Sequence, residues 1–152
     1  MSSIFKKNYV STTYKGQKST YPKKFCEHLF SGFPKNSKLL DVGCGNGDFT
    51  LEIAKLGLDV SGIDISGEHD LGSKFTKINI QTEKYPFPDN HFDIVFSKSV
   101  IEHLREPDFL FDEVYRVLKP GGIFICLTPS WKHHRKEQFY IDHTHVTPFT
   151  RH

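Results

Sequence analysis

Apolar positions along this chain follow two alternating rhythms. Short, nearly continuous apolar runs fall at Leu39 to Val42, Val60 to Asp64, Phe75 to Ile80, Phe92 to Ser97 and Ile123 to Thr128. Runs of that length, rich in β-branched and aromatic residues, predict strands buried on both faces. Between them the spacing becomes helical. Pro22 suits a first helical position, Phe25, Cys26, Leu29 and Phe30 share one face, and Ser31-Gly32 ends the segment. Phe49, Ile53 and Leu56 form a second face, with Asp48 in the first turn and Gly57 placed for a left-handed cap. Pro107 opens a third helix with a stripe of Leu110, Val114, Val117 and Leu118, and Lys119-Pro120-Gly121-Gly122 is expected to stop it. A turn at Pro88-Asp89-Asn90 leads into the fourth strand. The alternation predicts an α/β fold with a parallel sheet of about five strands and helices on both faces, in three α/β/α layers.

The 152 residues suffice for one domain with a core of its own, and no repeat or low-complexity linker divides them. The expected organisation is a basic leader over 1–21, mobile or acting as a lid, and a single domain over 22–152. At 37% hydrophobic and 25% charged residues, the composition excludes wholesale disorder. The longest strongly apolar run, Ile123 to Leu127, is far short of the roughly 20 residues that cross a bilayer, so no membrane span is expected. The N-terminus lacks the apolar stretch of a secretory signal. Cys26, Cys44 and Cys126 are odd in number and form no C-x-x-C, which points to reduced thiols and a cytoplasmic location.

The net charge of +2 conceals an asymmetry. Six lysines and no acid lie within the first 24 residues, leaving 14 basic against 18 acidic residues in the rest. Such a leader is either a solvated terminus or a contact for an anionic partner. Some 24 residues follow Thr128 without strong periodicity. They are expected to form a substrate loop or a partner contact, or to mark an incomplete chain.

The most informative segment is Gly43-Cys44-Gly45-Asn46-Gly47, between a strand and a helix. Glycines let the backbone turn sharply and approach a ligand, and N–H groups at the following helix start favour an anionic group. Asp64 lies 21 residues after Gly43, at the end of the second strand. In a right-handed βαβ unit that position faces the ribose of a nucleoside held over the loop. No Gly-Lys-Ser/Thr follows, which excludes a nucleotide-hydrolase phosphate loop, and G-x-G-x-G fits the dinucleotide fingerprint poorly.

The stretch from Leu39 to Gly47 resembles the first motif of class I S-adenosylmethionine-dependent methyltransferases. The resemblance continues through Gly62 to Ser66, Tyr85 to Val95, Ile101 to Leu104 and Arg116 to Gly122, so it covers about residues 36 to 130. It implies a Rossmann-like fold, S-adenosyl-L-methionine as cofactor and methyl transfer to a small-molecule or biosynthetic acceptor. By position, Asp41 and the backbone of Gly43, Cys44, Gly45 and Gly47 would hold the methionine part. Asp64 would bind the ribose and Ile65 would pack on the adenine. Asn79 and Ile80 would flank the exocyclic amine, Asn79 standing where many relatives have aspartate. Ser97 and Lys98 would line the pocket near the methionine amine through their backbone.

A sulfonium already activates its methyl group, so positioning and exclusion of water are the protein's main tasks. If the acceptor must lose a proton, His103 and His145 are the candidate bases, while Glu102 is cofactor-facing or capping. His143 and His145 would project from one side of an extended chain beside Asp142. No helical His-x-x-x-His or cysteine pair accompanies them, and no metal is expected. Asp142 to His145 resembles a loop after the family's fifth strand that helps form the acceptor side, where Trp131, Phe139 and Tyr140 would form a wall or close the core. Asp112 and Arg116 read as a solvated i, i+4 pair, and Cys44 as a packing residue.

Relatives continue past the His145 region with a further helix and two antiparallel strands, which this chain is expected to lack. An experimental boundary, a natural short form or completion by a partner would each account for that. A homodimer or partner chain would then cover an exposed sheet edge. Two other functions stay open. One is a cofactor-binding module without turnover that acts with a partner chain. The other is RNA methylation, suggested by Tyr9, Tyr14 and Tyr21 among the leader lysines and by Lys132, Arg135 and Lys136.

Overall fold

The computed structural model describes residues 20–66, 74–130, 142 and 144–149. The elements run α1 (Tyr21–Phe30), β1 (Lys38–Val42), α2 (Asp48–Lys55), β2 (Asp59–Asp64), β3 (Phe75–Lys77), β4 (Phe92–Lys98), a 3-10 turn (Ile101–His103), α3 (Asp108–Val117) and β5 (Leu118–Leu127). They form one five-stranded sheet in the order β3-β2-β1-β4-β5 with every pair parallel, the Rossmann-like arrangement expected.

Alternation along the central strands separates the two cores. Leu39, Ile94 and Phe96 face α1 and α2, where they pack with Cys26, Phe30 and Ile53. Leu40 and Val95 face the opposite way, onto Leu110, Val114 and Val117 of α3. A slip of one residue in β1 would drive both sets to the wrong layer, so burial on both faces sets the register. Leu39 lies opposite Ile94 and Leu40 opposite Val95. The chain departs from β1 toward β2 but returns to β1's other side with β4. Between β1 and β4 the strand order therefore reverses, and ligands of such sheets bind beyond the carboxyl ends at that point.

Three local readings differ from the sequence pattern. Helix α1 begins at Tyr21, one residue before Pro22, because its ring packs against Phe25 and Phe49 at centroid distances of 5.5 and 6.0 Å. Strand β3 ends at Lys77 rather than Ile80, since the chain curls at Asn79, whose carbonyl accepts the N–H groups of Thr82 and Glu83. The third difference is in β5. Lys119 to Gly122 do not separate helix from strand but form an irregularity inside β5: Phe92 pairs with Leu118, and Ile94 with Ile123. Gly121 there has φ +80°, and a Cβ on Gly122 would come within 2.8 Å of Leu118 Cδ2. These breakers are thus absorbed as a bulge, with pairing to β4 resuming beyond them.

Arg116 does not pair with Asp112. Its Nε and Nη2 donate to Glu113 at 2.8 and 2.7 Å, its Nη1 to Asp89 Oδ1 and the Phe87 carbonyl at 2.8 Å, and its Nη2 also to the Tyr85 carbonyl. The guanidinium thereby ties the 85–89 loop to α3. Its charge and hydrogen bonds hold the Glu113 carboxyl below the usual range. Most of the basic leader, together with Trp131, Lys132, Arg135, Lys136, Phe139, Tyr140 and His143, lies outside the described residues. No helix among the described residues is long and apolar enough to cross a membrane.

Candidate functional site

Strand β1 is followed by three glycines with left-handed backbone: Gly43 at φ +75°, Gly45 at +52° and Gly47 at +76°. Such angles are costly for residues with a Cβ. Gly43 is also a packing glycine, because a Cβ there would lie 2.3 Å from Val100 Cγ2. Gly45 differs, since a Cβ on it would meet nothing within 4 Å; the space before it is open.

The amides of Gly43, Cys44, Gly45 and Gly47 are engaged within the protein. Gly43 and Cys44 N–H donate to the Ile63 carbonyl at 2.8 and 3.2 Å, and Gly47 N–H to the Cys44 carbonyl at 2.9 Å. Gly45 N–H donates to Asp64 Oδ2 at 2.9 Å. Carboxylates supply the remaining polarity. Asp64 is 8% exposed, and its Oδ1 accepts from both the N–H and the hydroxyl of Ser66. Asp41 is 2% exposed and accepts from the Thr50 hydroxyl at 2.6 Å. Burial pushes the Asp41 carboxyl up to about 7; Thr50's hydrogen bond opposes the rise and the Asp64 charge adds to it. With these four amides bonded internally and two carboxyl groups buried beside them, the loop suits a cationic group better than a phosphate.

Around this centre, Ile65 is 57% exposed, presenting apolar surface beside Asp64. Ser97, at the end of β4, has a buried hydroxyl without a hydrogen-bond partner among the described residues. The Lys98 ammonium lies over the Phe49 ring, 4.9 Å from its centroid, which turns it toward α1 and α2. Asn79 Oδ1 caps its own turn by accepting the Gln81 N–H. Ile80 is buried in the α3-side core, with its carbonyl accepting the Tyr85 hydroxyl. Cys44 is buried, and desolvation raises its thiol pKa, as befits an inert packing residue.

A second group lies past β4. The 3-10 turn carries Glu102 and His103, and residues 144–149 run across it. Val146 and Thr147 N–H both donate to the Glu102 carbonyl, at 2.8 and 3.1 Å, and the Thr147 hydroxyl donates to the Leu104 carbonyl. This brings the His103 and His145 rings together, with centroids 4.8 Å apart. The Thr144 hydroxyl sits 2.8 Å from His103 Nδ1 and donates to Asp142. Glu102 is fully buried; Thr128 donates to its Oε2, while Oε1 has no partner among the described residues.

The structure thus gathers Asp41, the glycine loop and Asp64 at the carboxyl ends of β1 and β2 and brings His103 beside His145 past the end of β4. Sequence reasoning missed Thr50, Ser66, Val100 and Thr144. Ser66 and Thr144 had a local signal, a hydroxyl two residues after an aspartate.

Comparison with known proteins shows the family. A family model described as "Methyltransferase domain" matches residues 40–126. Phosphoethanolamine N-methyltransferase 3 of Arabidopsis thaliana is 33% identical over 132 residues, covering 78% of this chain and 25% of that protein. A SAM-dependent methyltransferase from Archaeoglobus fulgidus superposes with a TM-score of 0.71 at 23% identity, over 90% of this chain and 65% of that one. Haemonchus contortus phosphoethanolamine N-methyltransferase 2, in complex with S-adenosyl-L-methionine, gives 0.58 at 28% identity, over 70% and 27%. The chain spans about a quarter of the length of Phosphoethanolamine N-methyltransferase 3 and between a quarter and a half of other curated relatives it matches. With the family model covering more than half of its residues, the chain belongs to the methyltransferase-domain family.

Proposed function

We propose that this chain binds S-adenosyl-L-methionine in the crevice beyond β1 and β4 and transfers its methyl group to a small-molecule acceptor. The observation that carries the reading is the electrostatic character of the loop. Its four glycine-motif amides are bonded within the protein, while Asp41 and Asp64 stand buried beside it. That favours a nucleoside whose tail carries an ammonium and a sulfonium over one bearing phosphates. The residues present fit that cofactor: Gly45 borders open space, Ile65 offers exposed apolar surface, and the Ser97 hydroxyl lacks a partner among the described residues.

In this reading Asp64 accepts from the ribose with the acceptor capacity left at Oδ2, and Ile65 packs on the adenine. Asp41, with loop carbonyls, faces the methionine amine. Asn79 and Ile80 border the adenine, and Ser97 and Lys98 complete the wall. When bound, the cofactor supplies a methyl group made electrophilic by its sulfonium. His103 or His145 would take a proton from an acceptor that must lose one. The acceptor is proposed to be small, by analogy with a relative named for phosphoethanolamine. A second copy or partner chain would cover the outer edge of β5, near exposed Phe111, Tyr115 and Ile123.

Calorimetry with S-adenosylhomocysteine, its analogue lacking the α-amine, and ADP tests the cofactor. The first should bind, the second markedly more weakly, and ADP not at all. ADP binding as tightly as S-adenosylhomocysteine would reverse the assignment. Incubation with methyl-labelled cofactor and fractionated extract tests turnover: label in small metabolites supports the reading. Binding without any labelled product would instead make this a cofactor-binding module.

A further inference from the structure

We propose that Glu102, His103 and His145 form a binding site for one divalent transition-metal ion of the zinc or cobalt class, at the carboxyl end of β4. One ligand atom from each lies within 4.8 Å of the others. Sequence spacing concealed the set, because it joins a turn after β4 to a segment beyond β5.

Three further observations point to an ion rather than to chance proximity. Glu102 is fully buried, and Oε1 has no hydrogen-bond partner among the described residues although Oε2 accepts from Thr128. A buried carboxylate oxygen in that state calls for a cation or water. Next, the hydrogen-bond sense at His103 is fixed. The Thr144 hydroxyl gives its proton to Asp142 Oδ1, so it accepts from His103 Nδ1–H and places the ring's lone pair on Nε2. Outer hydrogen bonds of this kind orient metal-binding imidazoles. Finally, the backbone bonds from Val146 and Thr147 to the Glu102 carbonyl hold His145 beside Glu102 whether or not an ion is bound. Asp142 Oδ2, 3.8 Å from His145 Nε2, adds negative charge at the rim.

Two imidazoles and one carboxylate suit borderline ions, whereas magnesium and calcium prefer all-oxygen sets. Tetrahedral ligands at about 2.1 Å from an ion stand about 3.4 Å apart, so binding would draw these three inward. With the ion bound both imidazole lone pairs are used in coordination, so the base role belongs to the metal-free chain, and the remaining coordination position would be open to water or to an oxygen or nitrogen of an acceptor.

The test uses the full chain after chelator treatment, titrated with Co(II) and followed by visible absorption, then displaced with Zn(II). One equivalent should bind. His103→Gln and His145→Gln should each weaken binding at least a hundredfold, and Thr144→Val about tenfold. His91→Gln, altering a histidine elsewhere, should change nothing. Zn(II) should also raise the melting temperature of the native chain but not of the two variants, which separates lost binding from lost folding. Absent cobalt absorption, or equal binding after both histidine substitutions, would overturn the proposal. S-adenosylhomocysteine binding to the metal-free chain is an independent measurement, so either assignment can fail without the other.

Discussion

The Gly45 amide and the Asp64 carboxylate are bonded to each other across the top of β1 and β2, N to Oδ2 at 2.9 Å. The acid proposed to hold the ribose therefore also shapes the glycine loop. Asp64→Ala should weaken S-adenosylhomocysteine binding about 10- to 100-fold, the scale of a lost charge-assisted hydrogen bond. It should also speed amide exchange at Gly45. Weakened binding with unchanged exchange would show that the loop keeps its shape without this bond.

Gly43→Ala should destabilise the fold by about 2–4 kcal/mol, combining a steric clash with left-handed backbone strain. The added Cβ would sit 2.3 Å from Val100 Cγ2. Gly43→Ala with Val100→Ala should recover part of that loss, since the nearest methyl is gone while φ +75° remains. Chemical denaturation of the single and double variants measures the coupling.

Asp41 should make stability fall as the solution becomes less acidic. Its folded-state pKa is raised from 3.8 to about 7. The native state thus holds a proton that the unfolded chain releases earlier. The stabilisation is fully present below about pH 3.8 and is lost as pH rises through about 7. Asp41→Asn, which keeps a carbonyl acceptor for Thr50, should flatten that part of the profile. Melting curves between pH 4 and 8 for both chains check the sign.

Arg116 is only 18% exposed and grips Glu113, Asp89 and two loop carbonyls at once. Lysine cannot reproduce that planar fork. Arg116→Lys should cost about 2 kcal/mol and lower the melting temperature by about 4–8 °C. Arg116→Ala should cost more, because it leaves the largely buried Glu113 without its guanidinium. An unchanged melting temperature in Arg116→Lys would show that the fork geometry adds nothing.

Periodicity made the scaffold readable. Leu110, Val114 and Val117 announce α3, and Leu39 to Val42 announce β1, because burial imposes spacing on each element separately. Gly43 to Gly47 with Asp64 were readable as a site because one βαβ unit brings them together. Arg116 pointed to Asp112 by spacing alone, yet its partners Asp89 and Tyr85 come from a loop that only the fold brings near. Lys119 to Gly122 looked like a stop because breakers act locally, whereas strand pairing with β4 continues past them. Thr50 below Asp41, and His145 against His103, follow from tertiary packing and leave no mark on local sequence.

The tether between residues 146–147 and Glu102 runs from main-chain N–H to main-chain carbonyl. Such a fastening is blind to the identity of the residues it joins, apart from proline. Substitution at Val146 therefore leaves the main-chain bonding intact, and the segment keeps its seat on the turn that carries Glu102 and His103. Sequence change at that position can proceed without rebuilding the attachment.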